Sequence, residues 1–63
     1  MIKIALLDPH PVVHKGFKAF FRKNDNICVV NTFSKTKDLY QFLNKISIDA
    51  LFIEMELAHD SVV

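Results

Sequence analysis

Three observations predict an α/β fold with three parallel strands and two crossover helices. Three short runs, Ile2–Leu7, Ile27–Val30 and Ala50–Ile53, are of strand length and almost wholly apolar, with only Lys3 interrupting them. Runs that do not alternate polar with apolar belong to strands covered on both faces, as in parallel sheets. Between them lie two stretches with apolar residues at helical spacing, and the resulting βαβαβ order takes right-handed crossovers in nearly all known cases.

The first run ends in Asp8-Pro9-His10-Pro11. Proline donates no ladder hydrogen bond and holds its predecessor extended, so the strand stops there, and Pro11 suits the first turn of a helix. Val13, Phe17, Phe20 and Phe21 form the predicted packing stripe of that helix, while Lys15, Lys18, Arg22 and Lys23 fill the remaining arc. Gly16 costs about 1 kcal/mol in a helix interior and therefore predicts a close approach of helix to strand. Asn24-Asp25-Asn26 closes the helix, and Asn31 is expected to end the second strand. Thr36, with Ser34 as its rival, is the expected N-cap of a second helix with Leu39, Phe42, Leu43 and Ile46 at i, i+3, i+4 and i+7. Ser47-Ile48-Asp49 leads into the third strand, and Glu54 stands where that strand runs out.

With every strand apolar on both faces, one helix must cover each face. The chain then reverses direction across the sheet and the strand order is 2-1-3, which sets the ends of strands one and three side by side. Asp8 and Glu54 are predicted to meet at that switch point, where open α/β sheets build their sites.

Sixty-three residues allow one small, marginal domain, so a fragment or an oligomer is a live expectation. The composition, 51% hydrophobic with one Gly and two Pro, excludes a disordered chain. A formal net charge of +1 is too small for unspecific phosphate-backbone binding. Cys28 has no intrachain partner and reads as a buried thiol in a reducing compartment. No window approaches the roughly 20 apolar residues of a membrane span, and a cytoplasmic protein is expected.

Two segments resemble the first half of a bacterial response-regulator receiver domain, particularly those of LuxR-type transcriptional regulators. Leu6-Leu7-Asp8-Pro9-His10-Pro11-Val12-Val13 leads into Gly16-Phe17, where that family has an apolar strand, two acids, His-Pro and a helix containing Gly. Ile48 to Ala58 matches the third-strand region, with Glu54 in place of the family's aspartate and Ala58 in place of its proline. The resemblance implies the βαβαβ portion of a flavodoxin-like doubly wound sheet, with residues 1–63 a partial receiver-like domain lacking the second half of the fold and any DNA-binding domain.

In the family, the third-strand aspartate accepts a phosphoryl group from a histidine kinase, and paired acids after strand one help to hold Mg²⁺. Clustered carboxylates bind a hard cation, which neutralises charge on the transferring group. Asp8 matches the first acid, but Pro9 stands at the second and supplies no carboxylate. Glu54, at the acceptor position, carries an extra methylene, and a misplacement of about 1 Å can cost orders of magnitude in rate. The expectation is therefore a regulatory module without phosphotransfer or enzymatic activity, retaining at most weak Mg²⁺ binding at Asp8 and Glu54. Glu54 then either imitates a phosphorylated aspartate in part, offering one charge against about 1.5 to 2, or is an ordinary strand-end acid.

The implied partners are proteins: a second copy, another regulator, or a histidine kinase. DNA is contacted only through a helix-turn-helix that these residues do not supply, and no membrane or small-molecule substrate is expected. Lys15, Lys18, Arg22 and Lys23 form a candidate partner face, against the simpler reading of a solvated arc. Asp8, His10 and His14 invite comparison with a zinc site, but Pro11 makes the first turn irregular and a fourth ligand is missing. His59 beside Asp60 reads as a surface pair. A stand-alone interaction protein that pairs with a complete receiver is the alternative from another class; a phosphate-accepting receiver ranks below both.

Overall fold

The computed structural model describes residues 1–54. Its elements are β1 (Ile2–Leu7), α1 (Pro11–Phe21), β2 (Ile27–Phe33), α2 (Thr36–Leu43) and β3 (Ala50–Ile53). The three strands form one parallel sheet in the order β2-β1-β3, as the apolar pattern requires. Met55 to Leu57, Ala58 and the His59–Asp60 pair lie outside the described residues.

β1 is the middle strand, and Ile4 to Leu7 are all buried. Side chains alternate across a strand, so the run serves two cores. Ala5 and Leu7 pack with Phe33 and Leu39, and Val30, Phe42, Leu43, Ile48 and Leu51 close around them, which places α2 on that face. On the opposite face Phe52, the register partner of Leu6, meets Phe17 of α1 with ring centroids 5.2 Å apart. Leu39, 2% exposed, is the most deeply covered side chain of α2. Burying a leucine this fully contributes about 1.5 to 3 kcal/mol.

The sequence pattern misjudges the second strand. β2 runs through Asn31 to Phe33, and its register against β1 shifts: Ile4 pairs with Val29 but Ala5 with Asn31, leaving Val30 as the extra residue. A one-residue shift moves every later side chain to the other face. Here it carries Phe33 to the α2 side, where its ring lies 5.1 Å from Phe42. The Asn31 carboxamide does not stop the strand but accepts the Thr32 N–H at 2.8 Å.

Four helix assignments are also corrected. In α1 the stripe narrows to Phe17 and Phe21, an i, i+4 pair, while Phe20 is 79% exposed and Val13 is largely exposed as well. A three-stranded sheet offers α1 too narrow a floor to cover all four. Neither Thr36 nor Ser34 caps α2: Lys35 occupies the N-cap position and no side-chain cap bond forms. Ile46 falls beyond the helix, whose C-cap is Asn44, and is half-exposed. Gly16 has nothing within 4 Å of where a Cβ would stand, so no close approach explains it. Cys28 is half-buried rather than buried.

Since Gly16 sits exposed within a helix and has an ordinary negative φ, Gly16→Ala should stabilise the fold by up to about 1 kcal/mol. In a domain of this size that corresponds to a rise in Tm of roughly 4–8 °C. Thermal unfolding followed by circular dichroism reads it, and a fall in Tm would contradict the open space beside the helix.

Candidate functional site

The candidate site is the rim formed by the carboxyl ends of the strands. Leu7 of β1 pairs with Phe33 of β2 on one side and with Ile53 of β3 on the other. One residue further on, the backbone ties the three ends together. The Asp8 N–H donates to the Phe33 carbonyl at 2.8 Å, and the Glu54 N–H donates to the Leu7 carbonyl at 3.0 Å. Asp8 and Glu54 therefore leave neighbouring strands at the same level of the sheet, Asp8 buried and Glu54 half-buried. A carboxylate at such a place faces the crevice that α/β folds leave open at a switch point.

Asp8 is held by the turn that follows it. Its Oδ1 accepts the backbone N–H of His10 at 2.8 Å and contacts His10 Nδ1 at 2.9 Å. An ionised carboxylate can only accept, so this contact requires the proton on Nδ1. His14, one turn into α1, reaches back with Nε2 to the Asp8 carbonyl oxygen, and a carbonyl likewise only accepts. Pro9 and Pro11 restrict the intervening backbone, so that the His10 ring meets the Asp8 carboxylate while the His14 ring, from α1, meets the Asp8 carbonyl. The two histidines thus serve as hydrogen-bond donors to Asp8, a simpler role than zinc ligation. Among the described residues no group of three His, Cys, Asp or Glu side chains is arranged to hold a metal ion.

Electrostatics at Asp8 run in two directions. Burial raises the carboxyl pKa, but the His10 backbone N–H, the hydrogen bond from the His10 ring and the electrostatic influence of the His10 and His14 imidazoles together outweigh it and hold it below the ordinary value. Charge-accepting hydrogen bonds favour the carboxylate form.

The other sequence-predicted positions are spread out. Lys15 and Lys18 are exposed on α1, and Arg22, its C-cap, and Lys23 just past it are exposed as well. The first three line a groove beside β2, away from the rim; Lys23 does not line it. A residue that sequence reasoning passed over is Asp49. Its Oδ2 accepts the Lys3 N–H at 2.7 Å while its own N–H donates to the Lys3 carbonyl at 2.7 Å, a two-way clasp that starts the β1–β3 register. An acid placed directly before an apolar run was the only signal for it.

A carboxyl whose pKa is lower folded than unfolded stabilises the fold above its unfolded pKa, and that contribution disappears as pH falls through the folded value. Asp8→Asn should therefore flatten the acid limb of the stability curve below about pH 4, leaving the neutral limb parallel to the parent's. Urea unfolding at stepped pH measures it; identical acid limbs would show that Asp8 is not the group responsible. Comparison of the chain with protein-family models, with curated proteins and with solved structures finds no match to any of them.

Proposed function

We propose that the chain is a receiver-like regulatory module of the kind found in LuxR-type transcriptional regulators, working without phosphotransfer. The observation that carries the proposal is the β1–β3 register: it brings Asp8 and Glu54, 46 residues apart in sequence (54 − 8), to one rim of a parallel sheet ordered 2-1-3. The residue types at that rim argue against cation-assisted phosphorylation. Pro9 contributes no carboxylate. One oxygen of Asp8 is engaged twice by His10, so a divalent cation would have to compete with those bonds. Under this reading His10 supplies by hydrogen bonding the neutralisation that Mg²⁺ supplies elsewhere, and the rim keeps one conformation.

The module's partners are proteins: a second copy, another regulator or a histidine kinase. DNA is contacted through a helix-turn-helix that such regulators carry outside the receiver, and the compartment is the cytoplasm. No helix among the described residues is long and apolar enough to cross a membrane.

A second reading, an interaction protein that pairs with a complete regulator, draws on β3. Its outer edge has no strand partner among the described residues, and Phe52 and Ile53 remain 44% and 42% exposed. A groove of about 430 Å³ lined by Ile46, Ile48 and Leu51 adjoins the same edge. Unpaired apolar edges invite strand addition.

Incubation with acetyl phosphate and Mg²⁺ should leave the intact mass unchanged, whereas an adduct of one phosphoryl group would overturn the proposal. Titration with Mn²⁺, followed by paramagnetic broadening in NMR spectra, should affect the rim amides of Pro9→Asp more than those of the parent chain. The second reading predicts a defined heterocomplex in size-exclusion chromatography with a full-length receiver protein; independent elution of the two would remove it.

A further inference from the structure

A groove of about 550 Å³ runs between α1 and the outer side of β2, near the amino ends of the strands. Ile27 and Val29 on its floor pair with Ile2 and Ile4 of β1, at the opposite end of the sheet from Leu7 and Phe33. Its floor is apolar, with Phe21, Ile27 and Val29, and Lys15 and Lys18 of α1 stand along it together with the helix's C-cap Arg22. No acidic residue lines it, and none of the three cations has an ion pair with a described residue. Cations that guard an apolar floor without a counter-charge are matched by a ligand that is both acidic and apolar.

The strand beside the groove narrows the choice. β2 is an edge strand with no neighbour on its outer side, and it contains neither proline nor a charged residue, the usual protections of an edge. Its second half is blunted by the extra residue Val30 and by the Asn31 carboxamide on the Thr32 N–H. Ile27 to Val29, where the groove lies, have neither protection: the Ile27 N–H donates to the Asn24 carbonyl at 3.4 Å, and the rest of the outer backbone there has no strand partner among the described residues. A fatty acid would satisfy the cations and the floor but leave the strand edge unpaired. A peptide strand satisfies all three.

We propose that this groove binds an extended, acidic and apolar segment of a protein partner, which adds to the Ile27–Val29 edge of β2 with its carboxylates against Lys15, Lys18 and Arg22. Main-chain pairing supplies the affinity and the cation row supplies the preference for acidic sequence, as in other strand-addition complexes. The proposal does not rest on the phosphotransfer question.

The test uses the full chain and a fluorescently labelled hexapeptide alternating glutamate with valine, read by anisotropy and by amide shifts of β2. Binding is expected to perturb Ile27 to Val29 and to weaken with salt. The double charge reversal Lys15→Glu/Lys18→Glu should cost about tenfold in affinity, since each exposed charge pair is modest alone. A version with lysine for glutamate should bind at least as weakly, and N-methylation of alternate backbone nitrogens should abolish binding on the pairing edge. Equal binding of the lysine or N-methylated peptides, displacement by dodecanoate at matched concentration, or no binding of the acidic peptide would each overturn the proposal.

Discussion

The fold depends on a four-residue stretch. Ile4 to Leu7 must be apolar on both alternations because β1 is hydrogen-bonded on both edges and covered on both faces. Remove that double demand and nothing forces α1 and α2 to opposite sides, or strands two and three to opposite edges. The apolar alternatives are poor: a sheet with both helices on one face would leave Ile4 and Leu6, or Ala5 and Leu7, in water. The order 2-1-3 follows from burial before any site is considered, and the adjacency of Asp8 and Glu54 follows from the order.

Around this strand the packing is uneven. The α2 face is a closed cluster, with Leu39 and Phe33 buried against Ala5 and Leu7. The α1 face is thinner. No residue of α1 is buried, and its aromatic hold on the sheet is the edge-to-face contact of Phe17 with Phe52 and the longer, tilted one of Phe21 with Phe52. Such aromatic pairs contribute about 0.5–1.5 kcal/mol each beyond area burial, enough to orient a helix but little to anchor it. Phe20 marks where the sheet ends beneath the helix: its only ring contact is with its neighbour Phe21 among the described aromatic side chains.

What could be read from the residues was what hydrophobic pattern controls. The five elements, the parallel sheet and the strand order all follow from where apolar runs occur and how long they are. The errors cluster where the pattern is silent. The Val30 bulge was hidden because Val-Val-Asn-Thr-Phe keeps an extended chain in either register, and only packing of Phe33 on Phe42 selects between them. Phe20 was assigned to the core because helical spacing ranks a phenylalanine by position, without knowing how wide the opposing sheet is. At the rim, Asp8 was legible as an acid after a strand, but its capture by His10 and His14 was not. That arrangement depends on ring orientation in a turn set by two prolines, and no periodicity encodes it.

The turn after β1 also decides how the buried Asp8 is neutralised. An acid in a half-closed crevice costs stability unless it is neutralised, because a buried charge needs a partner. Here the partner comes from within the same turn, through the His10 N–H and ring. Pro9 assists by holding Asp8 extended, which points its side chain back along the turn toward the two donors that follow it. Pro9 thus shapes the turn that neutralises the residue before it. A rim built this way does not need a cation to be stable, because the donors that hold its buried acid come from the same turn.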